Sequence, residues 1–501
     1  MRNGRPTETF PTDAGLELQV TRLERLYDAE RAFVHLYGDS TNAFWLDSGT
    51  AGERARFSFI GDDRGPLGAL VSYDVGVGEV RVQRGGELEV LRESIFDYLG
   101  REGRRLRLRA GSLPFDFDCG FVGYFGYELK ADCDGDAAHS SPAPDAAFVF
   151  ADRMIAFDHE ERRTYLLCLT DSGNGEAGER WSDETRLRLG SLPPLPEPEG
   201  VDSGAEYTPV DFRLSRSHSR YLDDIAECKL RLARGETYEV CLTNRISTAG
   251  AVPDPLALYR VLRRINPAPF ASFLRVGGLA VLSSSPERFL HIGRDRWAEA
   301  RPVKGTCRRD EDASEDARLA ADLRADGKSR AENMTIVDLL RNDLGIVCEF
   351  GTVRTPELLR VETYETVHQL VSTVRGRLRE DIGPLDCIRA CFPPGSMTGA
   401  PKKRTMEIID ELEGEARGVY SGAIGYLGLG GGCDLSVTIR TIVTDGDSAS
   451  IGAGGAIVMQ SDAEEEYREM LLKARAPMQA ILRHPRGNAV PAAVPAPEPM
   501  S

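Results

Sequence analysis

The segment FPPGSMTGAPKKRTMEIIDELE, residues 392–413, joins a turn rich in Gly, Ser and Thr to a helix. Pro401 falls near the first helical position, which tolerates a residue that lacks an N–H donor. The segment lies in a stretch, roughly residues 215–480, where helical patterns such as YLDDIAECKLRLARG alternate with strand patterns such as DLSVTIRTIVT. This alternation predicts a fold of mixed helices and strands.

The remainder of the chain divides around one Pro- and Gly-rich span. Before it, FVHLYG, AFVFAD and TYLLCLT are short runs typical of strands, and CGFVGYFGYELK interleaves aromatic residues with glycine as closely packed strands do. We therefore predict an N-terminal region at 16–190, a linker at 191–212 and a second region at 213–482. The tail, 485–501, has too few apolar residues to fold and is predicted to be disordered.

Composition excludes several classes of protein. The 501 residues carry a net charge of −17, which disfavours nucleic-acid binding because that needs a basic surface. No apolar run is long enough to span a membrane, and the first residues lack the apolar core of a secretory signal. The ten cysteines form no CxxC pair, so we expect reduced structural thiols in a cytoplasmic protein.

Lys304, in AEARPVKGTCRRDEDA (298–313), is one of only seven lysines among 62 basic residues. Positions that need only a positive charge can drift to arginine, whereas a compact charge or a deprotonatable amine requires lysine. Pro302 and Gly305 indicate a fixed, tight backbone around it. The sequence leaves two interpretations open: a surface cation in a turn, or a positioned amine.

Three carboxylates are candidate functional groups, and each also has an ordinary structural explanation. Glu287, in SSSPERFL (283–290), follows a strand and is either a general acid or a solvated partner of Arg288. Glu332 lies in the first turn of a helix predicted at 329–345, where the helix dipole stabilises a carboxylate. Glu469 shares a face of a helix predicted at 463–482 with Lys473, either as an exposed i,i+4 pair or as a magnesium ligand.

Two further features concern anions and titration. IGAGGAIV (451–458) allows close approach of backbone to an anion, but it lacks the sequence context of a dinucleotide-binding turn. The chain also contains no phosphate-binding P-loop and no esterase GxSxG motif.

His368, in ETYETVHQLVSTVRG, is as typical of a core position as of a catalytic one.

Eight segments together resemble the chorismate-utilising enzymes, the family that includes anthranilate synthase component I, aminodeoxychorismate synthase component I, and the isochorismate and salicylate synthases. In family order they are SSSPERF, RPVKGT, AENMTIVDLLRNDLG, VHQLVSTVRG, FPPGSMTGAPKKRTMEIIDELE, RGVYSGAIGYL, SVTIRT and GAGGAIV with DAEEEYREMLLKA. The resemblance implies an α+β fold with a two-sheet β-sandwich core surrounded by helices, in two intertwined parts.

The resemblance also implies roles for individual residues. It assigns Mg²⁺, which binds the ring carboxylate of chorismate, to Glu332 and Glu469. It implies that the rest of the substrate pocket is formed by Thr306, His368, Tyr420, Arg440, Gly454, Gly455 and Lys473. In the N-terminal region, FWLDS, which ends at Ser48, overlaps a segment that binds tryptophan in some members.

Lys304 discriminates between members of the family. Anthranilate synthase resembles PIAGT at this point and aminodeoxychorismate synthase resembles PIKGT, whereas this chain reads PVKGT. The resemblance therefore implies synthesis of 4-amino-4-deoxychorismate, on the route to p-aminobenzoate, with Lys304 as nucleophile and Glu287 as general acid. The nucleophile must be neutral, so we predict a depressed pKa for Lys304. The alternatives are anthranilate synthase component I or a 2-amino-2-deoxyisochorismate synthase; a regulatory subunit without activity is disfavoured because all the predicted catalytic positions are filled.

Glu239, in TYEVCLTNR, replaces the lysine with which water-adding relatives activate water, which favours ammonia as the nucleophile. It also differs from the glutamine of many bacterial ammonia users, and its own role stays open at this level. The chain shows no recognisable glutaminase, so we expect ammonia from a separate glutamine amidotransferase subunit.

Overall fold

Two large antiparallel β-sheets form the centre of the protein. The computed structural model describes residues 7–48, 56–108, 113–171, 175–198, 210–250, 252, 254–364 and 367–483. The strands of this part of the chain are β1 (Thr7–Pro11), β2 (Leu16–Leu23), β3 (Ala43–Asp47), β4 (Phe57–Asp62), β5 (Ala69–Asp74), β6 (Glu79–Arg84), β7 (Glu87–Leu91), β8 (Gly120–Phe125), β9 (Ala146–Ala151), β10 (Arg153–Asp158), β11 (Arg163–Asp171), β12 (Phe212–Leu214), β13 (Glu239–Ala249), β14 (Phe270–Val276), β15 (Leu279–Ser285), β16 (Arg288–Ile292), β17 (Trp297–Ala300), β18 (Val303–Arg308), β19 (Arg354–Thr363), β20 (Val367–Arg377), β21 (Gly399–Ala400), β22 (Ala423–Gly428), β23 (Cys433–Val437), β24 (Thr441–Thr444) and β25 (Ser448–Ile457).

Ten helices of the described residues surround the sheets. They are α1 (Ala29–Tyr37), α2 (Ile95–Arg105), α3 (Gly175–Gly190), α4 (His218–Ala233), α5 (Pro255–Ile265), α6 (Ala313–Ala325), α7 (Gly327–Val347), α8 (Pro384–Cys391), α9 (Lys402–Glu413) and α10 (Ala463–Arg483).

Each sheet is built from strands of both halves of the sequence. The first has the order β1-β2-β11-β10-β4-β3-β14-β15-β24-β25-β13-β12, with β21 beside β13. The second has the order β18-β20-β17-β16-β23-β22-β8-β9-β5-β6-β7, with β19 beside β20. The halves join at β3–β14, where Trp45 lies opposite Phe273, and at β8–β22, where Gly123 lies opposite Gly425.

The hydrophobic core has two main layers. One contains Phe44 and Phe59 of the first sheet together with Phe121 and Phe148 of the second, so the two sheets pack against each other. The other lies between the opposite face of the first sheet and helices α1, α4, α5 and α10. Burial of this apolar surface is the main force that holds the strands of the two halves together. The predicted two-sheet α+β core is confirmed.

The two helices predicted at the functional motifs are present with slightly longer bounds. The helix predicted at 329–345 is α7, which continues past Gly345, and the helix predicted at 463–482 is α10. Met334 of α7 is 38% exposed, whereas Ile336 and Val337 of the same helix are buried.

The prediction of a strand at FVHLYG was wrong. Residues 33–37 of this run lie in α1, which the carboxylate of Asp28 caps by accepting a hydrogen bond from the Arg31 amide. The apolar side chains Phe33 and Leu36 lie three apart and both face the core, which is helical spacing that a short apolar run does not distinguish from a strand.

The remaining predictions concern the linker between the two regions and the C-terminal tail. Residues 191–198 of the predicted linker carry no helix or strand, 199–209 lie outside the described residues, and β12 begins at Phe212. The predicted disordered tail, 485–501, also lies outside the described residues. None of the helices in the described part of the chain is long and apolar enough to cross a membrane.

Candidate active site

A cavity of about 870 Å³ opens between β13, β18, β25, α7 and α10. Its volume is typical of a small-molecule site. It brings together most of the predicted functional residues, which come from sequence positions far apart. Those that line it are Glu287, Lys304, Thr306, Glu332, Tyr420, Arg440, Gly454, Gly455, Glu469 and Lys473.

The local backbone of β18 directs Lys304 into this cavity. The register between β18 and β20 shifts between Val303 and Thr306, which is a β-bulge, and Gly305 within it has a φ of +87°. A bulge re-aims a side chain relative to the regular pleat, and a left-handed φ favours glycine. A side chain at Gly305 would also collide with Ser329. The Pro-Val-Lys-Gly-Thr sequence thus fixes the direction of the lysine.

Lys304 forms a buried ion pair with Glu239. The Nζ atom lies 2.7 Å from Oε1 of Glu239, and the two residues are 9% and 1% exposed. Burial lowers the pKa of Lys304, but the charges of Glu239 and Glu332 outweigh that effect, and the net pKa is raised. The predicted depressed pKa is therefore wrong for the ligand-free protein, because two carboxylates stabilise the protonated amine.

Glu287 is buried at the end of the strand that the sequence predicted. Burial raises its pKa to about 7, against the opposing effect of the Lys304 charge. Arg288, its predicted ordinary partner, instead pairs with Asp434 at 2.7 Å. Glu287 therefore holds its proton to higher pH than an exposed carboxyl does, as suits a general acid.

The carboxylates predicted to hold a metal lie on facing helices. Burial raises the pKa of Glu332 on α7 to about 7, with Glu239 and Glu469 adding to the effect and Lys304 opposing it. Glu469 on α10 pairs with Lys473 at 2.7 Å. Glu469 thus forms the predicted i,i+4 pair, and both members of that pair line the cavity.

The arrangement of these carboxylates fits Mg²⁺. Glu466 of α10 is buried, and its Oε2 atom has no hydrogen-bond partner among the described residues. The Nζ atom of Lys328 lies 2.6 Å from Oε1 of Glu466 and 3.9 Å from Glu332. No three metal-ligating side chains already converge in the described residues, but Mg²⁺ commonly takes one or two carboxylates and keeps several waters. A cation beside Glu332 and Glu469 would replace the charge that Lys328 now supplies.

The opposite wall of the cavity is suited to an anion. Arg440 has a φ of +53°, and its Nη1 atom donates a hydrogen bond of 2.7 Å to the carbonyl oxygen of Lys473. Burial raises the pKa of Tyr420, so its phenol stays a neutral donor. The Tyr420 ring packs directly on Gly452, where a Cβ atom would lie 2.1 Å from the ring.

Gly454 and Gly455 complete this wall. A Cβ atom at Gly454 would lie 2.2 Å from the carbonyl oxygen of Leu242, so neighbouring strand backbone excludes any larger residue. The Nζ atom of Lys473 donates to the carbonyl oxygen of Gly454 over 2.9 Å. These contacts hold a lysine and the glycine backbone next to each other in the cavity.

His368 does not line the cavity, unlike Thr306, the other additional pocket position. Its Nε2 atom lies 2.9 Å from the Asp316 carboxylate, and its Nδ1 atom lies 2.9 Å from the Thr363 hydroxyl. The imidazole is 2% exposed. Both ring nitrogens of His368 are thus engaged by α6 and β19, outside the cavity.

Lys328 is a charged cavity residue that the sequence analysis missed. It lies one turn before Glu332 on α7 and contacts the carboxylates of both helices. The scarcity of lysine could have identified it, because Lys328 is another of the seven lysines in a chain where most basic residues are arginine.

A second, smaller cavity of about 350 Å³ lies between the two sheets. Ser48, at the end of the FWLDS segment, lines it together with Arg56, Phe270 and Tyr426. All ten cysteines are unpaired thiols and nine are buried, in agreement with a structural role.

Comparisons with known proteins show which family the chain resembles. A family model described as chorismate binding enzyme matches residues 79–479. The aminodeoxychorismate synthase of Streptomyces pristinaespiralis is 49% identical over 469 residues, which cover 93% of this chain and 65% of that protein. The chloroplastic aminodeoxychorismate synthase of Arabidopsis thaliana is 41% identical over 476 residues, 90% of this chain and 52% of that protein. The chain thus spans between half and two thirds of the length of these relatives.

Anthranilate synthases are more distant in sequence but match over their length. Component 1 from Streptomyces coelicolor is 36% identical over 464 residues, 90% of this chain and 86% of that protein. The crystal structure of component I from Streptococcus pneumoniae superposes with a TM-score of 0.71 at 28% identity, covering 90% of this chain and 99% of that one. The menaquinone-specific isochorismate synthase of Escherichia coli, at 18% identity and a TM-score of 0.68, shares the fold.

Proposed function

This chain belongs to the chorismate-binding enzymes, and on that premise we propose that it converts chorismate and ammonia to 4-amino-4-deoxychorismate, a precursor of p-aminobenzoate. The observation that carries the proposal is the buried amine of Lys304 in one cavity with Glu287. An arginine at this position would supply charge but no nucleophilic nitrogen. The identity to the aminodeoxychorismate synthases supports the same reaction.

The reaction proceeds by two displacements. The Lys304 nitrogen attacks C2 of the ring, the two conjugated double bonds shift, and the C4–O bond breaks. Glu287 gives its proton to the departing hydroxyl, which leaves as water. Ammonia then attacks C4, the double bonds shift back, and the C2–nitrogen bond breaks to release Lys304 and the 4-amino product.

Two groups of residues hold the substrate. Arg440 and Tyr420, with the backbone at Gly454 and Gly455, receive the enolpyruvyl carboxylate, and Lys473 adds positive charge beside them. Glu332 and Glu469 are the residues that would hold Mg²⁺ near the ring carboxylate. When bound, the ion supplies charge that neutralises the carboxylate and fixes the ring in place.

The nitrogen source completes the proposal. Ammonia comes from a glutamine amidotransferase subunit that forms a heterodimer with this chain, and free ammonium substitutes for it in vitro. The reaction takes place in the cytoplasm, where thiols such as the buried cysteines of this protein stay reduced.

The test is an assay of the purified chain with chorismate, Mg²⁺ and ammonium, followed by a lyase specific for the 4-amino product. We expect p-aminobenzoate after the lyase is added. Fluorescent anthranilate without the lyase would instead identify the anthranilate synthase reaction.

Substitution of Lys304 by arginine tests its role in that assay. Lys304→Arg keeps a cation beside Glu239 but removes the nucleophile, so we expect loss of the 4-amino product. Lys403→Arg is the matched control, because Lys403 is an exposed lysine at the start of α9. Unchanged 4-amino output from Lys304→Arg would eliminate the covalent route.

Calorimetry tests the assignment of Glu332 and Glu469 as magnesium ligands. We expect Glu332→Ala and Glu469→Ala each to weaken Mg²⁺ binding in calorimetry by about tenfold or more, since each removes one of two protein ligands. Undiminished Mg²⁺ affinity in the double variant would exclude these carboxylates as the metal site.

A further inference from the structure

We propose that Glu239 is the base that takes a proton from Lys304, so that the amine attacks the ring in its neutral form. The inference rests on the proposed function, and it concerns a residue to which the covalent route assigns no task. Lys304 reaches this reaction as a buried ammonium ion, and an ammonium nitrogen has no lone pair with which to attack. A proton acceptor must therefore lie within hydrogen-bond distance of its Nζ atom.

Glu239 is placed to be that acceptor. Of the described residues, it is the one that hydrogen-bonds to the Lys304 amine, over 2.7 Å, and its own backbone is fixed by pairing with Ala400 of β21. Other charged or titratable groups also face the amine from the surrounding elements. They are Glu332 of α7, Glu469 of α10, Cys241 of β13 and Glu287 after β15.

The hydrogen bonding of Glu239 differs from that of a carboxylate held as a permanent anion. Its Oε2 atom is buried without a partner, so the lysine is its one hydrogen-bond donor among the described side chains. Glu413, by contrast, accepts two bonds from Arg417 as well as bonds from the amide and hydroxyl of Thr243. Glu239 thus has one side-chain donor, whereas the carboxylate of Glu413 accepts four hydrogen bonds. Arg417 also cannot give up a proton, whereas Lys304 can.

The proton balance of the cycle closes with this assignment. Glu239 takes one proton from the Lys304 ammonium, and the neutral amine forms the bond to C2 while Glu287 protonates the departing hydroxyl. The attached nitrogen is then a secondary ammonium, and it leaves as a neutral amine when ammonia bonds to C4. Glu239 returns its proton to Lys304, and the new ammonium group at C4 loses one proton, which restores Glu287.

The experiment measures formation of the covalent adduct directly. The enzyme is mixed with chorismate and Mg²⁺ without ammonia, quenched at intervals and analysed by intact-protein mass spectrometry for a gain equal to chorismate less one water. In Glu239→Gln we expect the adduct to form about 100-fold more slowly than in the unmodified enzyme near pH 6, the magnitude of general-base catalysis. The ratio should shrink as the pH rises, because an increasing fraction of the amine is then neutral without a base. Loss of the Glu287 proton is common to both proteins and cancels in the ratio.

A matched control separates this role from loss of any buried ion pair. Asp343 is 4% exposed and lies 2.7 Å from the amine of Lys402, outside the cavity. Asp343→Asn should leave the rate of adduct formation and its pH dependence unchanged. Should Glu239→Gln not fold, Glu239→Asp, which draws the carboxylate back by one methylene, should slow adduct formation at least about tenfold without changing the unfolding midpoint.

The possible failures can be told apart. An adduct that forms in Glu239→Gln as fast as in the unmodified enzyme, or faster, near pH 6 would show that Glu239 is a counter-ion only. An unchanged rate in Glu239→Asp would have the same meaning. If the unmodified enzyme forms no adduct, the covalent step of the proposed function fails, and the role of Glu239 fails with it.

Discussion

The ion pair between Lys304 and Glu239 predicts a strong, non-additive effect on stability. Replacing either partner alone, as Lys304→Met or Glu239→Met, leaves the other charge buried in a region where the two residues are 9% and 1% exposed. Breaking a buried pair in this way costs about 3–5 kcal/mol, whereas replacing both partners by apolar residues of similar volume is often neutral or stabilising. We therefore expect the double variant to lie within about 1 kcal/mol of the unmodified protein.

The direction of the pKa shift of Lys304 determines the pH at which unfolding should be measured. The folded pKa of Lys304 is raised above the unfolded value of about 10.4, so its contribution is complete below pH ~10 and is lost only above that range. Urea unfolding at neutral pH, followed by tryptophan fluorescence, thus reports the full effect. Single variants that each cost less than about 1 kcal/mol, with additive behaviour in the double variant, would refute a buried charged pair.

Three further predictions concern a second buried ion pair and two residues that line the cavity. Arg417→Met should lower the urea unfolding free energy by about 3–5 kcal/mol, because it leaves Glu413 buried and unpaired; a loss below about 1 kcal/mol would contradict this. The rate of chorismate consumption should fall as pH rises through about 7, where Glu287 loses its proton. Glu287→Gln should reduce that rate by about 100-fold or more below pH ~6, and the difference should shrink above pH ~7. Gly452→Ala should displace the Tyr420 ring, since the added Cβ would lie 2.1 Å from it. We expect the affinity for chorismate, measured by calorimetry, to fall by about tenfold. Equal affinity would show that the ring is free to move.

The sequence by itself determined the family and most of the candidate site. Ordered motifs identify positions such as Glu332, Lys304 and Glu469, because the chemistry of a dicarboxylate substrate restricts which residue types can occupy them. The helices predicted at 329–345 and 463–482 agree with α7 and α10 to within two residues at each end. The scarcity of lysine drew attention to Lys304, and the same signal applied to Lys328.

Only the tertiary structure decided the electrostatics of the site. Glu239 and Lys304 are 65 positions apart in the chain, and the fold alone brings their side chains to 2.7 Å. It also turned His368 toward Asp316 and away from the cavity. A pKa depends on burial and on charges through space, and neither can be read from neighbours in the chain. For that reason the sequence identified the amine, while the fold set its protonation.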